Sequence, residues 1–305
     1  MKHEDFDMNS VQAYCDAFGF DLRHPLVAVV DSRDSSMDSF PASYTARWGL
    51  YAIFLKQTKG CTINYGRTRY DYDDQSMVFL GPGQVTSVEF DEAMADVERP
   101  GFRGILFHPD LLFRTSLSRK IRQYTFFGYQ SNEALHLSAD ERVNIEDCFE
   151  RITRELLHPV DNFSKGLIVS NIELLLDYSM RYYSRQFIVR EAVNAGVMAR
   201  FDELLHDYLD SPAACAEGIP NVKYFAGRMS LSPNYFGDLV KRESGMTAQD
   251  YIQYQLLDRA KNLLISQGGN VSQTAYSLGF QYPQHFIRFF KRKTGQTPKE
   301  FFNAN

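Results

Sequence analysis

Two stretches near the end of this 305-residue chain repeat one another. Tyr235–Ile252 reads YFGDLVKRESGMTAQDYI, and fifty residues on His285–Phe302 reads HFIRFFKRKTGQTPKEFF. Phe236 matches Phe286, Lys241-Arg242 matches Lys291-Arg292, Gly245 matches Gly295 and Thr247 matches Thr297. Repetition at a fixed period means that one supersecondary unit is used twice, which restricts the fold more than any single motif. Each copy sets apolar residues at helical spacing beside basic ones, so each contains a basic, amphipathic helix.

The residues before each copy supply a second helix and a tight turn. Val222–Met229 reads as a short helix, Ser230–Ser232 as a turn, and Pro233–Glu243 as the next helix, with Ser232 as N-cap and Pro233 at the first helical position. That is helix-turn-helix anatomy. Ala226 is small enough for two helices to cross closely, and Ser230 stands where the turn needs a left-handed or tight backbone. In the second copy Val271–Leu278 carries Ala275 at the crossing and Gly279 at the turn, ahead of a helix over Pro283–Lys293. The offset between copies is about 49 before the turn and 50 after it, so the second turn is one residue longer. Between the copies Ala248–Ser266 reads as one amphipathic helix, a rigid connector. On one face of a DNA duplex, two such reading helices would sit in successive major grooves about 34 Å apart.

Charge separates this segment from the rest. Residues 218–305 hold 11 Lys and Arg against 5 Asp and Glu, whereas the remainder holds 22 against 33. The net charge of −5 therefore hides a basic module joined to an acidic partner, a pattern that suits binding to an anionic polymer. The four cysteines, Cys15, Cys61, Cys148 and Cys215, lie far apart with no CxxC pair, which argues against a zinc ribbon or a disulfide framework. No signal peptide opens the chain and no run reaches the apolar length of a membrane span, so a cytoplasmic protein is expected.

Helical spacing assigns faces. In the first reading helix Tyr235, Phe236, Leu239 and Val240 point to the core, and Asn234, Gly237, Asp238 and Lys241 lie opposite. In the second, Phe286, Phe289 and Phe290 are core, and Gln284, Ile287, Arg288 and Lys291 face outward. Asn234, Asp238, Gln284, Ile287 and Arg288 are the candidates for base contact: Arg288 suits guanine O6/N7, Gln284 adenine N6/N7, and Ile287 a thymine methyl. Lys241, Arg242, Lys291, Arg292 and Lys293 suit phosphate, which fixes position without reading sequence. Taken singly, each lysine reads equally well as a solvated charge.

These residues resemble the DNA-binding domain of AraC/XylS-type bacterial transcription regulators. The resemblance runs through Ala226, Leu231-Ser232-Pro233-Asn234-Tyr235-Phe236 and Lys241-Arg242-Glu243-Ser244-Gly245-Met246-Thr247. It continues through Arg259-Ala260-Lys261-Asn262-Leu263-Leu264, Ala275-Tyr276-Ser277-Leu278-Gly279-Phe280, Phe286 with Arg288-Phe289-Phe290-Lys291, and Gly295–Phe301. It covers the last 85–90 residues or so. It implies seven helices, double-stranded DNA at promoter-proximal sites as ligand, RNA polymerase as partner, and activation or repression of transcription. Family members often have polar or basic residues where this chain has Gly237 and Asp238. Glycine cannot read a base edge, and Asp238 would repel phosphate or accept from cytosine N4, so discrimination is expected to lean on the second helix.

Residues up to about 110 read mostly as strands: Pro25–Asp31, Leu50–Gln57, Cys61–Tyr65, Ser76–Leu80 and Phe102–His108, divided by Gly, Pro and Asp. Helices are expected over Ser138–His158, with a Ser138/Glu141 capping box, over Asp161–Gln186 and over Val189–Leu209. The expected fold is α+β: an N-terminal antiparallel β-barrel with following helices, then an all-α double helix-turn-helix domain. The resemblance makes that barrel cupin-like and the helices after it a homodimer surface. The domains are expected at 1–135 (cupin-like, effector-binding), 136–209 (helical, dimerising), 210–220 (linker) and 221–305 (DNA-binding). Trp48, Tyr65, Arg67, Tyr70 and Tyr72 are the candidate pocket for a small anionic or sugar-like effector, although packed tyrosines and solvated arginines explain the cluster as well. His24, His108 and His136 are scattered, so no metal or cofactor is expected. No nucleophile-elbow, P-loop or dinucleotide motif is present, which argues against an enzyme. A cupin-type enzyme with a DNA-binding tail and a non-specific DNA-binding protein stay as the alternatives.

Overall fold

The computed structural model describes residues 3–37, 41, 43–56, 61–64, 76–90, 101–130, 133–159, 161–189, 191–211 and 217–304. The chain divides into two compact units, Met1–Val189 and Arg190–Asn305.

Unit 1 is built on two sheets. The strands are β1 (Glu4–Met8), β2 (Val27–Asp31), β3 (Ser43–Trp48), β4 (Tyr51–Lys56), β5 (Cys61–Asn64), β6 (Ser76–Leu80), β7 (Val85–Phe90), β8 (Phe102–Phe107) and β9 (Leu135–His136). One sheet has the order β1-β3-β7-β5 and the other β2-β8-β4-β6-β9. The first corrects the expectation of an antiparallel barrel: β1 runs parallel to β3, Glu4 opposite Tyr44 and Met8 opposite Trp48. Among the described residues the two sheets do not close into one barrel, so α+β holds and the closed barrel does not. Parallel pairing needs a connection that returns the chain to the same end. Helix α1 (Val11–Phe18), capped by the Ser10 hydroxyl, begins that return and buries Val11, Tyr14, Cys15 and Phe18. These side chains join Met8, Ala46, Trp48, Leu50 and Leu106 in one apolar core.

After a short helix α2 (Leu117–Lys120), unit 1 ends in two long helices, α3 (Ala139–Leu157) and α4 (Ser164–Val189). The capping box is formed: Ser138 Oγ accepts from the Glu141 amide at 3.3 Å and the Glu141 carboxylate accepts from the Ser138 amide at 2.9 Å. Along α3, Ile145, Cys148, Phe149 and Ile152 are buried, whereas Val143 and Leu157 are exposed. Arg185 of α4 bonds both carboxylate oxygens of Glu141, tying the far end of α4 to the start of α3.

Unit 2 contains seven helices among the described residues: α5 (Glu191–Asp210), α6 (Val222–Arg228), α7 (Pro233–Ser244), α8 (Ala248–Ser266), α9 (Val271–Ser277), α10 (Pro283–Thr294) and α11 (Pro298–Ala304). Helix α5 departs from the sequence-based grouping of 136–209 as one segment. Its Phe201 is fully buried, with ring centroids 5.2 Å from Phe225, 4.9 Å from Phe236 and 5.5 Å from Tyr251. The Tyr251 hydroxyl donates to Asp202 at 2.7 Å, and Arg259 pairs with Asp210 at 2.6 Å. The Tyr208 hydroxyl of α5 also donates to the Gly218 carbonyl at 2.8 Å. Periodicity gives a helix its apolar face but does not say which core that face meets.

Candidate nucleic-acid interface

The two copies share their backbone bonds as well as their residues. In the first, Ala226 is fully buried where α6 meets α7, and its carbonyl accepts from the Leu231 amide at 2.9 Å. In the second, the buried Ala275 carbonyl accepts from the Phe280 amide at 3.0 Å. Each bond closes a turn through a left-handed residue, Ser230 at φ 56° and Gly279 at φ 83°. Only glycine takes that conformation without a Cβ penalty, so the first copy carries a strained serine where the second does not.

The extra residue of the second turn falls after this point, at Gln281. Its insertion replaces the N-cap. Ser232 Oγ accepts from the Tyr235 amide at 3.1 Å at the start of α7, whereas Tyr282 at the start of α10 makes no side-chain cap. Both helices then have proline in the first turn.

Their far ends match again. Gly245 and Gly295 are left-handed C-caps whose amides donate to the Lys241 and Lys291 carbonyls at 2.9 and 2.8 Å. Thr247 and Thr297 each cap the next helix, accepting from the amides of Asp250 and Glu300 at 3.1 and 3.2 Å. Both carboxylates are held below the usual range: Asp250 by the Thr247 hydroxyl and then Lys293, Glu300 by the Thr297 amide and hydroxyl.

Tyr235, Phe236, Leu239 and Val240 of α7 and Phe286, Phe289 and Phe290 of α10 are buried. That fixes the opposite faces. Asn234, Gln284 and Arg288 are exposed, and Asp238 and Ile287 are half-buried. Lys241, Arg242, Lys291, Arg292 and Lys293 occupy the last turns and are exposed. Cations there also complement the helix dipole, so each has a structural role without any ligand. Lys293 differs from the others in reaching back to Asp250 at the start of α8, 3.5 Å away.

Exposed His285 was missed from sequence, because the repeat equates it with buried Tyr235. Its ring stands edge-on to that of Tyr282, 5.5 Å between centroids, so α10 presents Tyr282, His285 and Gln284 at its N-terminal end. The one-residue insertion was the available signal that the helix starts differently. In unit 1, Trp48 is buried and donates to Thr86 Oγ1 at 2.9 Å, among the rings of Tyr14 and Phe54. Tyr65, Arg67, Tyr70 and Tyr72 lie outside the described residues.

A family model described as a helix-turn-helix domain matches residues 225–304, the span from within α6 to the end of α11. Residues 225–304 thus form a helix-turn-helix domain of the AraC type. Among curated relatives, the HTH-type transcriptional regulator YijO of Escherichia coli is 26% identical over 127 residues, 42% of this chain and 44% of YijO. The transcriptional regulatory protein YesN of Bacillus subtilis is 32% identical over 110 residues, 35% of this chain and 28% of YesN. The chain thus spans less than half the length of these two relatives. Among solved structures, ToxT from Vibrio cholerae covers 91% of this chain at 13% identity with a TM-score of 0.30. No helix among the described residues is long and apolar enough to cross a membrane.

Proposed function

We propose that this AraC-type protein is a sequence-specific transcription regulator. In this reading α7 and α10 enter successive major grooves of double-stranded DNA, and RNA polymerase is the partner at the promoter. The observation that carries it is the duplication itself. Two helices, each preceded by a turn through a left-handed residue, ended by a glycine C-cap and buried on an aromatic face, turn polar and cationic side chains outward, and α8 lies between them. Arg288 and Gln284 read bases, and Lys241, Arg242, Lys291 and Arg292 hold phosphate.

Unit 1 is the proposed regulatory part, where a small-molecule effector acts. Along α4 and just before it, Phe163, Leu167 and Leu174 are 74, 50 and 40% exposed at helical spacing. An apolar row of this kind supports a homodimer through α4. The test of the DNA reading is selection of duplexes from random-sequence DNA, followed by titration at fixed salt. A regulator prefers its selected site over arbitrary duplex by about a thousandfold or more, while a non-specific binder shows one affinity for all.

A further inference from the structure

Gly237 stands in the middle of α7, the first reading helix, where glycine is a poor choice for the fold. A Cβ added there meets no heavy atom within 4 Å, and Gly237 is not among the glycines with positive φ. Neither the backbone nor the packing of unit 2 asks for it, and mid-helix glycine costs stability relative to alanine. Its place on the helix is also specific. It lies three residues after exposed Asn234 and four before exposed Lys241, on the side of the helix away from Tyr235 and Leu239. The matching position in α10 holds the branched side chain of Ile287.

We propose that Gly237 is a clearance point, at which the backbone of α7 itself comes against the floor of the major groove. The proposal rests on the DNA reading above. A helix with side chains is about 10–12 Å across and nearly fills a groove about 12 Å wide, while its Cα cylinder has a radius of only about 2.3 Å. Leaving one side chain out on the deepest row lets the axis sink, which brings Asn234 and Asp238 to the base edges from a shorter distance. Gly237 then determines specificity by absence, and α7 reads DNA through its fit rather than through a long side chain.

The experiment uses the full chain and a duplex selected with it from random-sequence DNA. Gly237→Ala is compared with Gly196→Ala, an exposed mid-helix glycine of α5 that is equally open. Both changes raise Tm by about 2–4 °C through helix propensity. Only Gly237→Ala lowers affinity for the selected duplex, tenfold or more, and weakens hydroxyl-radical protection of one half-site while sparing the other. Binding of Gly237→Ala within twofold of the unchanged chain overturns the clearance role, and so does a fall in its Tm. Failure of the unchanged chain to prefer any duplex overturns the DNA reading on which the proposal rests.

Discussion

At the residue scale, the proposed function has α7 and α10 divide the reading unequally. Arg288 is exposed on α10, and a bidentate arginine–guanine pair discriminates by about 1–3 kcal/mol. Arg288→Ala is therefore expected to lower affinity for the selected site at least tenfold and to relax preference at one base pair, with a smaller loss for Asn234→Ala. A gel-shift titration that leaves Arg288→Ala unchanged while Asn234→Ala abolishes binding reverses the assignment. Removing Lys291 or Arg292 should instead weaken all sequences alike and make the salt dependence shallower by about one unit per contact. The caps at Thr247 and Thr297 carry a pH signature. Asp250 and Glu300 are held below their ordinary values of 3.8 and 4.5, so their contribution is full above those values and fades as pH falls through the lowered ones. Unit 2 should show no pH effect from these two groups between pH 6 and 8 and should weaken below about pH 4; thermal melts across that range check it. Cys15 and Cys148 are buried with thiols pushed up to about 11, so neither is expected to react in the folded chain at neutral pH.

At the element scale, the sequence carried the C-terminal helices closely because their signals are local. Ser232 and Pro233 start α7 as expected, Thr247 caps α8, and Gly245 and Gly295 stop α7 and α10 one residue beyond the expected ends at Glu243 and Lys293. What it did not carry was long-range. Strand β1 was missed because EDFDM is short and acid-rich, a composition that disfavours strands, and its order comes from pairing with β3, about forty residues away. Helix α5 was seen as a helix but placed with the wrong neighbours, since nothing in its own periodicity says that Phe201 meets Phe225 and Phe236. Tyr282 and His285 were hidden by a repeat that is one residue out of step. The placement of α5 makes a direct prediction. A fragment of residues 190–305 should melt cooperatively, whereas 212–305 loses Phe201, Leu205, Tyr208 and Leu209 from its core. Removal of a buried phenylalanine alone costs about 3–5 kcal/mol, so the shorter fragment should be unfolded or nearly so by circular dichroism.

At the scale of the whole molecule, the chain joins an acidic two-sheet unit to a helical one whose basic charge lies in residues 218–305, each unit with a core of its own. Under the proposed dimer, Leu167→Glu puts a charge in the middle of the exposed α4 row and should convert the protein to a monomer by sedimentation, with unit 2 still folded. An unchanged dimer would place the interface elsewhere. The central claim concerns geometry: α7 and α10, fixed by α8, read one face of a duplex one helical turn apart. Inserting five base pairs between the two half-sites of the selected duplex turns one half-site to the opposite face, because a turn is about 10–10.5 base pairs. The measurement is affinity for that duplex at fixed salt. The double reading head predicts a fall to the level of arbitrary DNA, and affinity unchanged by the insertion would contradict it.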